Sequence, residues 1–233
     1  MLHLGGIFSQ GIFVNEALFL GHVLIVAAFS LAALRLGVRA LAAFVALQAV
    51  LANLFVVKQM VLFGLEATCS DVFAIGSLFS LNLIQEFFGK DEAKRAVRGA
   101  FLCLLFFAVM AEIHLLYSPS GHDQTQGSFG TIFSSNLRIV ASSIAVYFVV
   151  QQIDVKLFGW MRERSMGKLL PLRLGASLVI SQGLDTVLFS FLGLYGIVAS
   201  VFDVIVVSLA IKWIAIGCSA PFTAFANRIA RQS

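Results

Sequence analysis

The stretch VFAIGSLFSLNLIQEFFGKDEAKRAVR, residues 72–98, runs apolar as far as Gly89 and then turns abruptly basic. Its first part is close to the length that crosses the hydrocarbon core of a bilayer as a helix, about 20 residues. Its second part carries charge that has to stay at the membrane face. Working outward in both directions, the same alternation recurs. Seven apolar segments can be drawn, near residues 17–34, 41–63, 72–88, 99–117, 131–158, 172–195 and 197–220. Of the 16 Lys and Arg, thirteen fall in alternate gaps: Arg35 and Arg39; Lys90, Lys94, Arg95 and Arg98; Lys156, Arg162, Arg164, Lys168 and Arg173; Arg228 and Arg231. Cationic connections stay on the cytoplasmic face during insertion. The expected fold is therefore an all-α integral membrane protein, a bundle of seven transmembrane helices with its N-terminus outside and its C-terminus cytoplasmic.

Composition excludes most other classes. The chain is 60% hydrophobic and only 12% charged, about half the charged share of a water-soluble domain. Mean hydropathy is +0.97. Seven spans and short connections use nearly all 233 residues, so residues 1–233 read as a single transmembrane helical domain. The sequence pI near 9.2 comes from charge sorted by loop, which signals orientation and not nucleic-acid binding. Cys69, Cys103 and Cys218 have neither disulfide nor zinc spacing. No cofactor or metal is expected. Residues 1–15 lack Lys and Arg, so the first segment reads as a retained helix and not a cleaved signal.

Charge inside the spans needs a reason, because an ionised group at a helix centre costs about 2.5 to 3.5 kcal/mol on insertion scales. Asn82 and Glu86 lie four apart and share a helix face. Arg138, Ser142, Ala145, Val149 and Gln152 follow the helical repeat, and Asp154 lies just beyond. Ser177, Ser181 and Asp185 stand at four-residue steps, with Gln182 and Thr186 beside them, while Lys212 lies in the last segment. Together Glu86, Arg138, Asp154, Asp185, Asp203 and Lys212 point to an internal polar cavity. The plainer reading makes Arg138 and Lys212 helix glue, since interhelical polar contacts are common and individually weak, about 0.6 kcal/mol. Asp154 could equally be a helix-end residue pairing with Lys156 or Arg162, and Asp203 could simply be solvated. Asp185, near mid-span, has no such excuse. His114 and Glu112 fit interface positions, and Lys58 could extend its ammonium outward. Ala42, Ala46 and Ala49 form a small-residue stripe that admits close helix approach.

Three ordered blocks resemble the queuosine precursor transporter family, also called the vitamin uptake transporter family. They are CSDVFAIGSLFSLNLIQEFFGKDEAKRAV (69–97), RIVASSIAVYFVVQQIDV (138–155) and SQGLDTVLF (181–189), followed by the last helix with Lys212 and Pro221. The resemblance runs from about Leu41 to the C-terminus and is to the seven-helix form. It implies import across the cell inner membrane of a 7-deazaguanine base (queuine, preQ1 or preQ0), a purine-like small molecule used later in tRNA modification, with no direct contact to nucleic acid. Such a ring presents N1–H and a 2-amino group as parallel donors that a carboxylate accepts in bidentate fashion. Asp185 or Glu86 would take that edge. Arg138, Asn82 or Gln152 would serve the ring carbonyl, and a further carboxylate such as Asp154 would meet a cationic side arm.

Two other classes compete. A substrate-binding subunit of a vitamin importer would need an ATP-driven partner, with Ala42, Ala46 and Ala49 as its docking surface. An intramembrane enzyme is disfavoured, because His3, His22, His114 and His122 all lie toward the outer side and no buried Ser–His or His–Asp constellation exists. No Gly-rich phosphate loop is present. Preferred precursor, proton coupling and oligomeric state are open at this level.

Overall fold

The computed structural model describes residues 4–56, 58–62, 65–133, 137–166, 169–196 and 201–230, and within these the side chains of 4–13, 65–67, 137–140, 219–225 and 227–230 are left out. The described chain forms helices α1 (Leu4–Arg35) and α2 (Val38–Phe55), strands β1 (Gln59–Leu62) and β2 (Leu65–Thr68), and helices α3 (Asp71–Phe88) and α4 (Lys90–Leu115). There follow α5 (Gln126–Phe133), α6 (Leu137–Arg164), α7 (Leu170–Phe189), a π-helical turn (Ser190–Leu194) and α8 (Val201–Ala230). Seven helices, all but α5, are long and apolar enough to cross a membrane. A helix satisfies its own backbone N–H and C=O groups, which hydrocarbon cannot, so apolar runs of this length have little choice.

Several boundaries differ from the hydropathy reading, among them the start of α1 at Leu4 and the division of the expected span 131–158 between α5 and α6. The second segment was expected to run to Phe63, but α2 stops at Phe55 and the chain turns into an antiparallel hairpin pairing Gln59 with Thr68 and Leu62 with Leu65. Short apolar runs such as Met60–Val61–Leu62 suit helix and strand alike, so hydropathy cannot separate them. The basic run after Gly89 belongs to α4 itself: Asp91 and Glu92 occupy its first turn, where the helix dipole favours negative charge. Each pairs three residues on, Asp91 with Lys94 at 3.6 Å and Glu92 with Arg95 at 2.6 Å. The last segment was expected to stop at Pro221, yet α8 runs on to Ala230. In the connection to α5, the Thr125 hydroxyl and amide both donate to the Asp123 carboxylate at 2.7 Å, which holds that carboxyl below its ordinary range.

Two glycines make the tightest connections. Leu36 and Gly37 (φ 97°) separate the end of α1 from the first turn of α2, and Gly89 (φ 95°, ψ 167°) alone joins α3 to α4. That corner of backbone space is nearly closed to residues with a Cβ and costs of order 1–3 kcal/mol. At Gly89 a Cβ would meet nothing within 4 Å, so the cost is purely conformational. Gly89→Ala is expected to lower stability by about 1–2 kcal/mol on that account, read as a lower unfolding temperature in detergent; an unchanged temperature would refute it.

Helix α3 is the hub, packing against α1, α2, α4, α6, α7 and α8. Its span is 72% buried, which is why it tolerates Ser77, Ser80, Asn82 and Gln85 without exposing them to lipid. At Gly76 a Cβ would collide with Gln48 Oε1 and Val26 Cγ1, so the glycine lets α1 and α2 close on α3. A buried ladder crosses there: Gln48 Nε2 donates to Ser80 Oγ at 3.1 Å, and Ser80 Oγ to Ser30 Oγ at 3.0 Å. Helix α1, which its sequence marks as lipid-facing, in fact buries Phe19, Val23, Leu31 and Leu34. It packs that face on α3 and α8. The connections at Gly37, at Gly89 and between α6 and α7 define the basic end of the bundle, and the opposite end carries the hairpin.

Candidate functional site

The in-span polar groups do not meet in one pocket; they sort into three levels along α3 and α7. At the basic end, Glu86 of α3 accepts two parallel hydrogen bonds from Arg173 of α7, Nη1 to Oε2 at 2.9 Å and Nη2 to Oε1 at 3.0 Å. This fork-to-fork geometry is the strongest form of the pair. Arg162 of α6 lies 3.4 Å from the same carboxylate and donates to the Gln85 carbonyl at 3.2 Å. Arg173 stacks its guanidinium 5.4 Å from the Phe158 ring centroid, a favourable cation–π contact where water is scarce.

At the hairpin end, Lys212 of α8 donates to Asp185 Oδ2 of α7 at 2.9 Å and to Thr186 Oγ1 at 3.0 Å. Its ammonium also lies 3.7 Å from Asp71, the first residue of α3. Lys212 and Asp71 are buried, whereas the Asp185 side chain keeps 24% of its surface open.

Between these clusters lies a layer of another kind. Asp154 of α6 is fully buried, and its Oδ1 accepts hydrogen bonds of 2.6 Å from both Ser177 and Ser181, one turn apart on α7. Among the described residues its Oδ2 has no hydrogen-bond partner, nor do either of the Asn82 side-chain polar atoms, Gln182 Oε1 or Gln151 Oε1. All these residues are at most 1% exposed. Buried polar atoms without partners are rare, because each forfeits about 1–3 kcal/mol of hydration. These atoms come from three helices, α3, α6 and α7. Ser77 flanks the layer on α3, taking a bond from Gln151 Nε2 at 3.2 Å and sharing one with Tyr147 at 3.1 Å.

A family model described as "Putative vitamin uptake transporter" matches residues 68–226, well over half of the chain. The chain belongs to that family. A relative from Bacillus subtilis (strain 168), described as "Probable queuosine precursor transporter", is 35% identical over 150 residues. The shared stretch covers 63% of this chain and 66% of that protein, just under two thirds of its length. No solved structure matches. The family description is that of transporters and not of enzymes. Its match begins at the end of the hairpin, so all three polar levels lie inside it while α1 and α2 lie outside.

Within this vitamin uptake transporter, the residues singled out from sequence are distributed as follows. Glu86 sits at the basic end, Asp185 and Lys212 at the hairpin end, and Asn82 and Asp154 in the layer. Gln152 is half-buried on α6 beside Gln151. Arg138 lies in the first turn of α6, with its side chain outside the described residues. Asp154 pairs with neither Lys156 nor Arg162, and Asp203 is exposed near the start of α8. Sequence reasoning passed over Arg173 and Arg162, which it assigned to a cytoplasmic connection, and Asp71, which it placed in a loop. A usable signal existed for Arg173: it follows Pro171 inside the first turn of α7, where a proline marks a helix start, so its side chain already belongs to the bundle.

Proposed function

We propose that this chain imports a 7-deazaguanine base across the inner membrane, binding it at the Asp154 layer. The observation that carries the reading is the set of unpartnered buried polar atoms on Asp154, Asn82, Gln151 and Gln182. The Asp154 Oδ2, which the two serines leave open, would accept from the N1–H or the 2-amino group. The Asn82 amide is suited to donate to the ring carbonyl, and the Gln182 and Gln151 carbonyl oxygens to take remaining N–H groups. Glu86 and Asp185 are the weaker candidates for the donor edge, since each is already held by a cation. The relative's description supports the substrate class. The chemistry of the layer supports a flat solute with a donor edge and an acceptor on one ring.

In this reading the basic connections face the cytoplasm, with the N-terminus outside and the C-terminus inside. A fluorescent reporter fused at Ser233 tests the orientation, and failure to fluoresce in otherwise active cells would count against it. The direct test of function is uptake of labelled queuine, preQ1 and preQ0 by a bacterial strain lacking its own synthesis and import of these bases. Accumulation of at least one, competed by the unlabelled base and not by adenine, is the expected result. No accumulation of any of the three would overturn the proposal.

A second reading has one observation behind it. Ala42, Ala43 and Ala46 of α2 face Ala96, Gly99 and Cys103 of α4 across a groove of about 290 Å³ that ends at Arg39, Glu92 and Arg95. A groove of small residues on the outside of a bundle suits docking of another helix, as a binding subunit of an ATP-driven importer would need. Ala49 is fully buried and takes no part. Uptake by this chain alone, in cells without an energising module, would exclude that reading.

A further inference from the structure

We propose that the two ionic clusters are gates that open alternately: Glu86 with Arg173 and Arg162 closes the basic end of the polar layer, and Lys212 with Asp185 and Asp71 closes the hairpin end. The proposal rests on reading the layer as the solute site, but its geometry stands independently of which solute is carried. Asp71 and Glu86 stand at opposite ends of α3, fifteen residues and therefore about 22 Å apart. Arg173 and Asp185 stand near opposite ends of α7, and Ser177 and Ser181, which hold Asp154, lie between them. The same two helices are thus tied by charge above and below one sealed level.

Each cluster is built so that it can let go. In both, one ion has two partners of opposite sign: Glu86 has Arg173 at 2.9 Å and Arg162 at 3.4 Å, and Lys212 has Asp185 at 2.9 Å and Asp71 at 3.7 Å. Removing one partner outright from a buried pair leaves an uncompensated charge, which is the costly event. Handing the shared ion from one partner to the other avoids it. Both clusters also have an open rim, for the Arg162 side chain is 42% open and that of Asp185 24%. The central layer is at most 1% exposed, so with both gates closed it is cut off from either side.

The test reads access and not transport, which separates it from the substrate question. Ser177→Cys serves as the reporter in a full-length chain carrying Cys69→Ala, Cys103→Ala and Cys218→Ala. Vesicles of both orientations are treated with a membrane-impermeant maleimide. Glu86→Gln is expected to raise the labelling rate at least about tenfold from one face only, the factor that corresponds to about 1.4 kcal/mol of lost closure. Asp185→Asn is expected to do the same from the opposite face. The charge-exchanged pair Glu86→Arg with Arg173→Glu should return labelling toward the background rate, which guards against a variant that merely unfolds. Labelling unchanged by both substitutions, raised from the same face by both, or raised from both faces at once by either would overturn the proposal. So would failure of the exchanged pair to restore closure in a chain of normal thermal stability.

Discussion

Asp154→Asn is expected to lower uptake of the base by about a hundredfold while leaving the amount of protein in the membrane near that of the wild type. The substitution keeps the size of the side chain, and the one remaining carbonyl oxygen can go on accepting from Ser177 and Ser181, so the fold loses little. What is lost is a second acceptor oxygen. A hydrogen bond to a charged group is worth about 1.5–3 kcal/mol, and an N–H now faces a ring donor in its place, so the loss corresponds to about two orders of magnitude in affinity. Initial uptake rates at several base concentrations, normalised to membrane abundance, decide the matter. A rate within threefold of wild type at low concentration would remove Asp154 from the site. Asp185→Asn, run alongside, should be milder in affinity, because the Asp185 carboxylate already holds Lys212.

Lys212→Met is expected to have the largest effect on the folded state. Lys212 is 4% exposed and is the cation between Asp71 and Asp185. Removing it leaves two carboxylates of like sign facing each other across α3 and α7, and breaking a buried pair in this way costs about 3–5 kcal/mol. Much of the protein should then fail to accumulate in the membrane, and the remainder should unfold at a lower temperature in detergent. Replacing all three charges together, Asp71→Asn, Asp185→Asn and Lys212→Met, should recover most of that stability, since a neutral set carries no uncompensated charge. If the single variant is as stable as wild type, or the triple variant is no better than the single, the cluster does not balance charge in the way its distances imply.

The architecture was legible because a bilayer leaves few options. Long apolar runs must be helices there, and the sorting of Arg35, Arg39, Lys90 to Arg98 and Lys156 to Arg173 into alternate gaps marks which ends lie together. The hairpin was not legible, since Met60–Val61–Leu62 is as apolar as the helix before it. The polar residues inside the spans were more legible than their partnerships. Periodicity placed Ser177, Ser181 and Asp185 on one face of α7, but it could not say that α6 delivers Asp154 to the two serines while α8 delivers Lys212 to the aspartate. Those pairings depend on how far each helix slides along its neighbour, which no local pattern encodes. Charge itself misled at Arg173 and Arg162: both count toward a basic connection by sequence, yet both reach back into the bundle to meet Glu86. Asn82 and Glu86 do share a face of α3, but Glu86 meets Arg173 and Arg162 while the Asn82 side-chain atoms have no hydrogen-bond partner among the described residues.

The short joints at Gly37 and Gly89 bear on how such a bundle can deform. Each leaves two helices almost no spare chain, so α1 with α2, and α3 with α4, are elbows of nearly fixed angle at that pole. At the other pole the joining segments are long: the β ribbon between α2 and α3, and the stretch with α5 between α4 and α6. Compliance is therefore unevenly shared. One mouth of the bundle is hinged like the spine of a book and the other like its free edge, so an equal change in helix tilt sweeps a wider opening where the ribbon lies.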